Sequence, residues 1–147
     1  MKKETSAGII TFYVDRDEGK PFIKYLVLNA VSGYWDFPKG KVEENEELID
    51  TAKRELFEEA GIEVDIIPGF QEQISYMFRD KDKELVSKKV VYFLGKAKSD
   101  IVKISYEHVD FKWLPYNEVL KQLTFHNAQE ILKIANEFIL LRQNNAF

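Results

Sequence analysis

The sequence contains no cysteine, which excludes disulfides and thiolate metal sites and leaves the compartment open. Its two histidines, His108 and His126, fit no paired zinc-ligand spacing. No stretch approaches the roughly 20 apolar residues of a membrane span, so no membrane partner is expected. The segment MKKETSAGIITFYVDRDEG carries two lysines but too short an apolar run for a signal peptide, and it reads as a strand. Positive charge is also scarce: 21 Lys and Arg stand against 25 Asp and Glu, for a net charge of −4. No broad basic surface is therefore available to attract nucleic acid without specificity. A polyphosphate ligand stays compatible with this balance, provided metal ions and a few lysines reverse the sign locally.

What is present points to a folded chain. A hydrophobic content of 45% and an aromatic content of 14% argue against disorder. The length of 147 residues suits one globular domain, 1–147, with a sizeable core. No internal repeat, low-complexity tract or linker interrupts it. The expectation is a soluble, cytoplasmic monomer.

Strands are predicted over Thr5–Val14 and Phe22–Ala30, joined by a hairpin loop at DRDEGKP. VSGYWDFPKG is punctuated by glycine and proline and reads as a loop with a short extended piece. A helix is predicted to start at Asn45, run to Ala60 and stop at Gly61. Strands follow at Ile62–Ile67, Gln71–Phe78 and Ser87–Lys96, the last two joined by a charged tip at RDKDKE. A short strand, Phe111–Leu114, precedes a short helix, Tyr116–Gln122, and a longer amphipathic helix spans Asn127–Leu141. Strands and helices mix without regular alternation, which predicts an α+β sandwich of sheet and helices rather than a doubly wound fold.

The helix carries acids in an unusual place. At about 100° per residue, Leu48, Ile49, Ala52, Leu56 and Ala60 form one buried stripe. Glu59 falls within that stripe, Glu55 at its edge and Glu58 just beyond it. A helix that merely faces solvent places its acids opposite the apolar stripe. Burying an unpaired carboxylate costs on the order of several kcal/mol, so a partner is expected. Arg54 can pair with Glu58 one turn on, but one arginine does not neutralise three acids. A hard divalent cation would, and a cation held on a rigid helix is a tool for phosphate chemistry. The plain alternative is an acid-rich surface helix, which the wheel disfavours.

These residues carry a family resemblance. Gly40, Glu46, Arg54, Glu55, Leu56, Glu58, Glu59, Gly61 and Ile62 fill every defined position of the Nudix box, so the chain resembles the Nudix hydrolases. The resemblance implies an α/β/α sandwich with a mixed sheet between helices. It also implies Mg²⁺- or Mn²⁺-dependent hydrolysis of nucleoside diphosphates linked to another moiety. Carried over by position, Glu55, Glu58 and Glu59 become metal ligands with the Gly40 carbonyl as a further one. Arg54 orients the acids, Glu46 supports them, and one glutamate activates the attacking water; which one stays open.

Beyond the box, YWDFPKGKVE, GFQEQISYMF, KKVVYFLGKA and SYEHVDFKWL resemble the asymmetrical diadenosine tetraphosphate hydrolases. The resemblance makes Tyr76 an adenine-stacking ring, against the alternative of a core tyrosine. Lys88, Val90 and Tyr92 share a strand face, so Lys88 is placed to touch phosphates while Tyr92 lines the pocket; an edge lysine guarding against aggregation is the alternative for Lys88. Lys39, next to Gly40, is a phosphate contact or a solubilising loop residue. Glu107 matches a position where such hydrolases supply another acid to the metal, or is a solvated loop acid. Phe125 is a second adenine wall or a core residue. His108 and His126 are unassigned, and Trp35 and Trp113 read as packing.

The predicted reaction is hydrolysis of diadenosine tetraphosphate to ATP and AMP. An RNA 5′-pyrophosphohydrolase is the enzymatic alternative, disfavoured by the acidic balance. A hydrolase of nucleoside triphosphates or ADP-ribose is another, although Pro68 comes too early for the ADP-ribose pattern. A catalytically inactive Nudix nucleotide sensor is the non-enzymatic alternative, and the intact acid set argues against it.

Overall fold

The computed structural model describes residues 1–142. Its elements, in order, are β1 (Lys2–Asp17), β2 (Lys20–Ala30), β3 (Trp35–Asp36), β4 (Lys39–Lys41), α1 (Leu48–Ala60), β5 (Val64–Arg79), β6 (Leu85–Ala97), β7 (His108–Leu114), α2 (Tyr116–Gln122) and α3 (His126–Arg142). The strands form one mixed sheet whose main path runs β3-β2-β1-β6-β5, with β4 paired to β1 and β7 to β2. The β1–β6 pair is parallel and the others are antiparallel.

Alternation along the central strands separates two cores. Ala7, Ile9, Leu26, Leu28, Val91 and Phe93 face Ala52, Leu56 and Ala60 of α1. The other face, with Ile10, Phe12, Tyr25, Val90 and Leu94, packs against Val119 of α2 and Ala128, Ile131, Leu132, Ala135 and Ile139 of α3. The layering is helix, sheet, helix, as the α+β expectation required.

Local chemistry moves several boundaries. The predicted DRDEGKP loop is a two-residue turn. Glu18 and Gly19 both adopt positive φ (50° and 81°), a pair of left-handed residues that matches strand twist and lets β1 and β2 pair up to Asp17 and Lys20. The two strands predicted around Pro68 are one, β5, whose register against β6 shifts between Ile66 and Gln71 where Gly69 takes φ 92°. Asn45 does not cap the helix. It lies at φ 63° in the turn before it, and α1 begins at Leu48 after an extended Glu47.

One irregularity positions the site. On the side away from β6, β1 pairs with β2 over Phe12–Asp17 but with β4 over Ser6–Gly8. Between these stretches β2 leaves β1 for β7 and β3, so the sheet forks. Ile9 N–H donates to the Pro38 carbonyl across the fork (3.3 Å), and a β-carbon at Gly8 would lie 2.5 Å from that same oxygen. Glycine is what lets the chain leading into β4 come this close.

Candidate active site

The glutamate helix crosses the sheet at the fork. Thr51, Ala52, Leu56 and Ala60 are fully buried beneath it, Glu55 and Glu59 are half-buried, and Glu58 is exposed. The wheel therefore separated Glu55 and Glu59 from the exposed Glu58 correctly. Gly40 in β4 faces Glu55 so closely that a β-carbon there would overlap the carboxylate. Lys39 N–H donates to Glu59 Oε2 (3.1 Å), tying the second acid to the same strand.

Arg54 does more than pair with Glu58. Its Nε and Nη2 donate to Glu46 (2.7 and 3.0 Å), Nη1 donates to Glu55 (2.8 Å) and Glu58 (3.1 Å), and Nη2 also reaches the Lys41 carbonyl (3.1 Å). Glu46 also accepts from Thr51 Oγ1 (2.5 Å) and Glu43 N–H (3.1 Å). The Arg54 contact, with help from these donors, holds Glu46 down at about 2. The acid left out of this clasp is Glu59. Burial, and then the charge of Glu55, pushes it up to about 8. Burial also raises Glu55, with Arg54 opposing.

The C-terminal end of α1 recruits a further acid. Gly61, left-handed at φ 67°, closes the helix with its N–H on the Phe57 carbonyl (2.8 Å). The carbonyls of Ala60 and Glu59 then accept from Lys103 and Ser105 N–H (2.9 and 3.0 Å). This docks the loop that carries Glu107, whose charge adds to the repulsion on both Glu55 and Glu59. Glu107 itself is exposed.

Beside the acids the fork opens into a cavity of about 390 Å³. Lys39 and Glu59 line it on the side of the acids, Tyr76 and Ile74 from β5, and Phe125, Asn127 and Ala128 at the start of α3. Tyr34 and Phe125 face each other at 4.9 Å between ring centroids, inclined by 52°. Trp35 and Thr124 fasten these two walls through Trp35 N–H to Thr124 Oγ1 (2.8 Å) and Thr124 N–H to the Trp35 carbonyl (3.2 Å). Volume and aromatic lining suit one nucleoside.

Of the residues singled out in the sequence, Lys39, Tyr76 and Phe125 meet in this cavity, with Glu59 on its border. Tyr92 does not line it. The ring is fully buried under Phe37, edge to face at 6.0 Å, and its hydroxyl has no hydrogen-bond partner among the described residues. Lys88 lies outside the cavity too, buried on the same sheet face and paired with Glu4 (3.3 Å). Three polar wall residues escaped the sequence reading: Asp36, Asn127 and His108. Burial raises Asp36, which stands 3.9 Å from Lys39 Nζ, and burial lowers His108, whose Nδ1 meets Ser105 Oγ at 3.2 Å. No local pattern marks them, since they come from three separate elements, β3, β7 and α3.

The donor set fits a hard divalent ion. Half-buried carboxylates repel each other across a strand backbone cleared by Gly40, and oxygen-only ligation suits Mg²⁺ or Mn²⁺. Among the described residues no three acidic, histidine or cysteine side chains stand in ligating arrangement together. Arg54 draws Glu55 and Glu58 to its guanidinium, while Lys39 holds Glu59. A cation would take over from the guanidinium as the centre on which these acids converge.

Comparison with known proteins gives the same reading. The NUDIX domain family model matches residues 5–133. An asymmetrical bis(5′-nucleosyl)-tetraphosphatase of Sus scrofa is 35% identical over 124 residues, covering 80% of this chain and 81% of that one. An RNA pyrophosphohydrolase of a Nitratiruptor species is 32% identical over 117 residues, covering 71% and 73%. Among solved structures, a Caenorhabditis elegans Ap4A hydrolase binary complex superposes with a TM-score of 0.80 at 26% identity, over 93% of this chain and 98% of that one. With box, layers and family model in agreement, the chain belongs to the Nudix family of hydrolases.

Proposed function

We propose that this chain hydrolyses dinucleoside polyphosphates, converting diadenosine tetraphosphate and water to ATP and AMP. The observation that carries the reading is the contiguity of the two halves of the site. Lys39 and Glu59 border both the acid cluster and the one-nucleoside cavity, so a nucleoside seated among Tyr34, Tyr76 and Phe125 presents its phosphates to the acids. The similarity to the tetraphosphatase of Sus scrofa supports the choice of substrate.

Glu55, Glu58 and Glu59, with the Gly40 carbonyl and Glu107, would hold Mg²⁺ or Mn²⁺. Bound there, the ion supplies charge neutralisation of the polyphosphate and activation of water near neutral pH. The chain's own residues do the rest. Arg54 fixes Glu55 and Glu58, and Lys39 N–H fixes Glu59. Tyr76 and Phe125 seat the base, and Lys39 contacts the phosphates. One glutamate takes the proton of the attacking water. The oxygen of that water bonds to the attacked phosphorus, and the P–O bond on its far side breaks to release the second nucleotide. The reading treats the chain as one catalytic domain, monomeric and cytoplasmic.

Glu59→Gln and Glu58→Gln test the assignment. Turnover with Mg²⁺ is expected to fall at least about a hundredfold, and unchanged turnover would sink the metal site. Products from a panel of diadenosine tetraphosphate, ADP-ribose, 8-oxo-dGTP and triphosphorylated RNA test the substrate. ATP plus AMP from the first is expected. A preference for the RNA end would favour the alternative to which the Nitratiruptor relative points.

A further inference from the structure

A second aromatic surface lies outside the cavity, at the end of the same sheet face. Cross-strand register puts Tyr76 opposite Lys88 and Lys88 opposite Glu4, one lateral row over β5, β6 and β1. One step further out, Phe78 is opposite Val86. As Ile74, Tyr76 and Phe78 alternate on β5, all three project to the side that Ile74 shares with the core of α3. Helix α3 starts at the cavity and runs the other way, toward Phe70, on which Phe138 packs. The outer end is open to water: Tyr76 is 37% and Phe78 36% exposed. Their ring centroids are 6.2 Å apart and inclined by 42°, a tilted pair rather than a face-to-face stack.

Positive charge lies beside this surface. Gly40 faces Glu55 on the α1 side, so its neighbours Lys39 and Lys41 project to the cavity side. The Glu4 carboxylate bridges Lys41 Nζ (3.2 Å) and Lys88 Nζ (3.3 Å). Lys39 and Lys41 are both close enough to Lys88 to oppose its charge, while burial is the larger cause lowering its pKa. Lys39 and Lys41 thus carry positive charge outward from the cavity mouth, backed by the buried Lys88, in a chain whose net charge is −4. Asp36 and Glu4 offset part of that charge, and the three lysines outnumber the two acids paired with them.

We infer that Phe78 is the stacking surface for the second nucleoside of the substrate, with the polyphosphate crossing Lys39 and Lys41 between the two base sites. The inference rests on the dinucleoside polyphosphate reading and adds what that reading lacks. The cavity holds one nucleoside, so a substrate with a base at each end needs a second surface within reach of the same phosphates. Phe78 supplies a ring face there and takes no part in the cavity or the acid cluster. A mononucleotide bearing the same phosphates gains nothing from Phe78.

The test compares diadenosine tetraphosphate with adenosine 5′-tetraphosphate, which keeps the four phosphates and lacks the second nucleoside. For wild type, Phe78→Ala and Phe78→Trp, the KM of the first is divided by the inhibition constant of the second. Loss of a base–aromatic stack is expected to raise this ratio about fivefold or more in Phe78→Ala, and Phe78→Trp should restore it. A ratio unchanged in Phe78→Ala overturns the inference while leaving the substrate reading standing. Failure of wild type to cleave diadenosine tetraphosphate overturns that reading, and the inference with it.

Discussion

Glu46 and Glu59 are both box glutamates, and their surroundings drive them in opposite directions. Glu46 is held at about 2 by Arg54, Thr51 and the Glu43 amide, whereas burial beside Glu55 lifts Glu59 to about 8. A carboxyl held below its ordinary value of 4.5 adds stability that is present in full above that value and is lost as pH falls toward about 2. Glu46→Gln should therefore melt below wild type at pH 7, and the gap should close between about pH 5 and pH 2. Thermal melts across that range check it; a gap independent of pH would mean that the Arg54 clasp does not set the affinity of Glu46 for protons. The sequence displayed Arg54 and Glu58 as an i, i+4 pair, but the Glu46 contact was hidden. It depends on the left-handed Asn45 folding the preceding turn back against the helix, and no periodicity reports a single residue's φ.

At the scale of elements, α1 was legible because its signal is local: an apolar stripe at helical spacing, a glycine stop, and acids on the wrong side. Strands β3 and β4 showed only as a short extended piece within a loop, since two and three residues are too few to show alternation. Yet β4 determines how Glu55 sits, through Gly40. Gly40→Ala is expected to lower Mg²⁺ affinity about 10–100-fold, the range seen when groups supporting a metal ligand are removed, with the far-UV spectrum retained. Titration calorimetry reads the first and circular dichroism the second. Wild-type affinity in the alanine variant would show that Glu55 has another place to go. Tyr92 illustrates the limit of strand alternation. The pattern assigned it to the correct face, alongside Val90 and Lys88, but depth on that face is set by Phe37, which comes from a distant loop and closes over the ring. The cavity wall was unreadable for the same reason: Asp36, His108 and Asn127 meet only once three separate elements, β3, β7 and α3, have packed.

For the whole molecule, the α+β layering followed from the mixture of elements, whereas the strand order did not. The central parallel pair joins residues 2–12 to residues 86–96, and everything that forms the acid cluster's helix and the first hairpin lies between them in sequence. Pairings so far apart pay their loop-closure entropy before any contact rewards it, and they put folding in the slower range of milliseconds to seconds. The hairpin around Glu18 and Gly19 needs no such closure and should form first. Refolding followed by capture of a fluorescent adenine nucleotide is expected to regain binding only in the last phase. Binding within the dead time would show that the cavity assembles without β6.

The same topology has a consequence for synthesis on the ribosome. The glutamate helix emerges early, with half of its neighbours already made, but the strand that completes the floor beneath it is β6. A nascent chain stopped before Leu85 carries Glu55, Glu58 and Glu59 on a helix with an unfinished surface to lie on, and it lacks Glu107. Such a fragment has the acids of the helix without their setting, so truncation there should yield no partial enzyme.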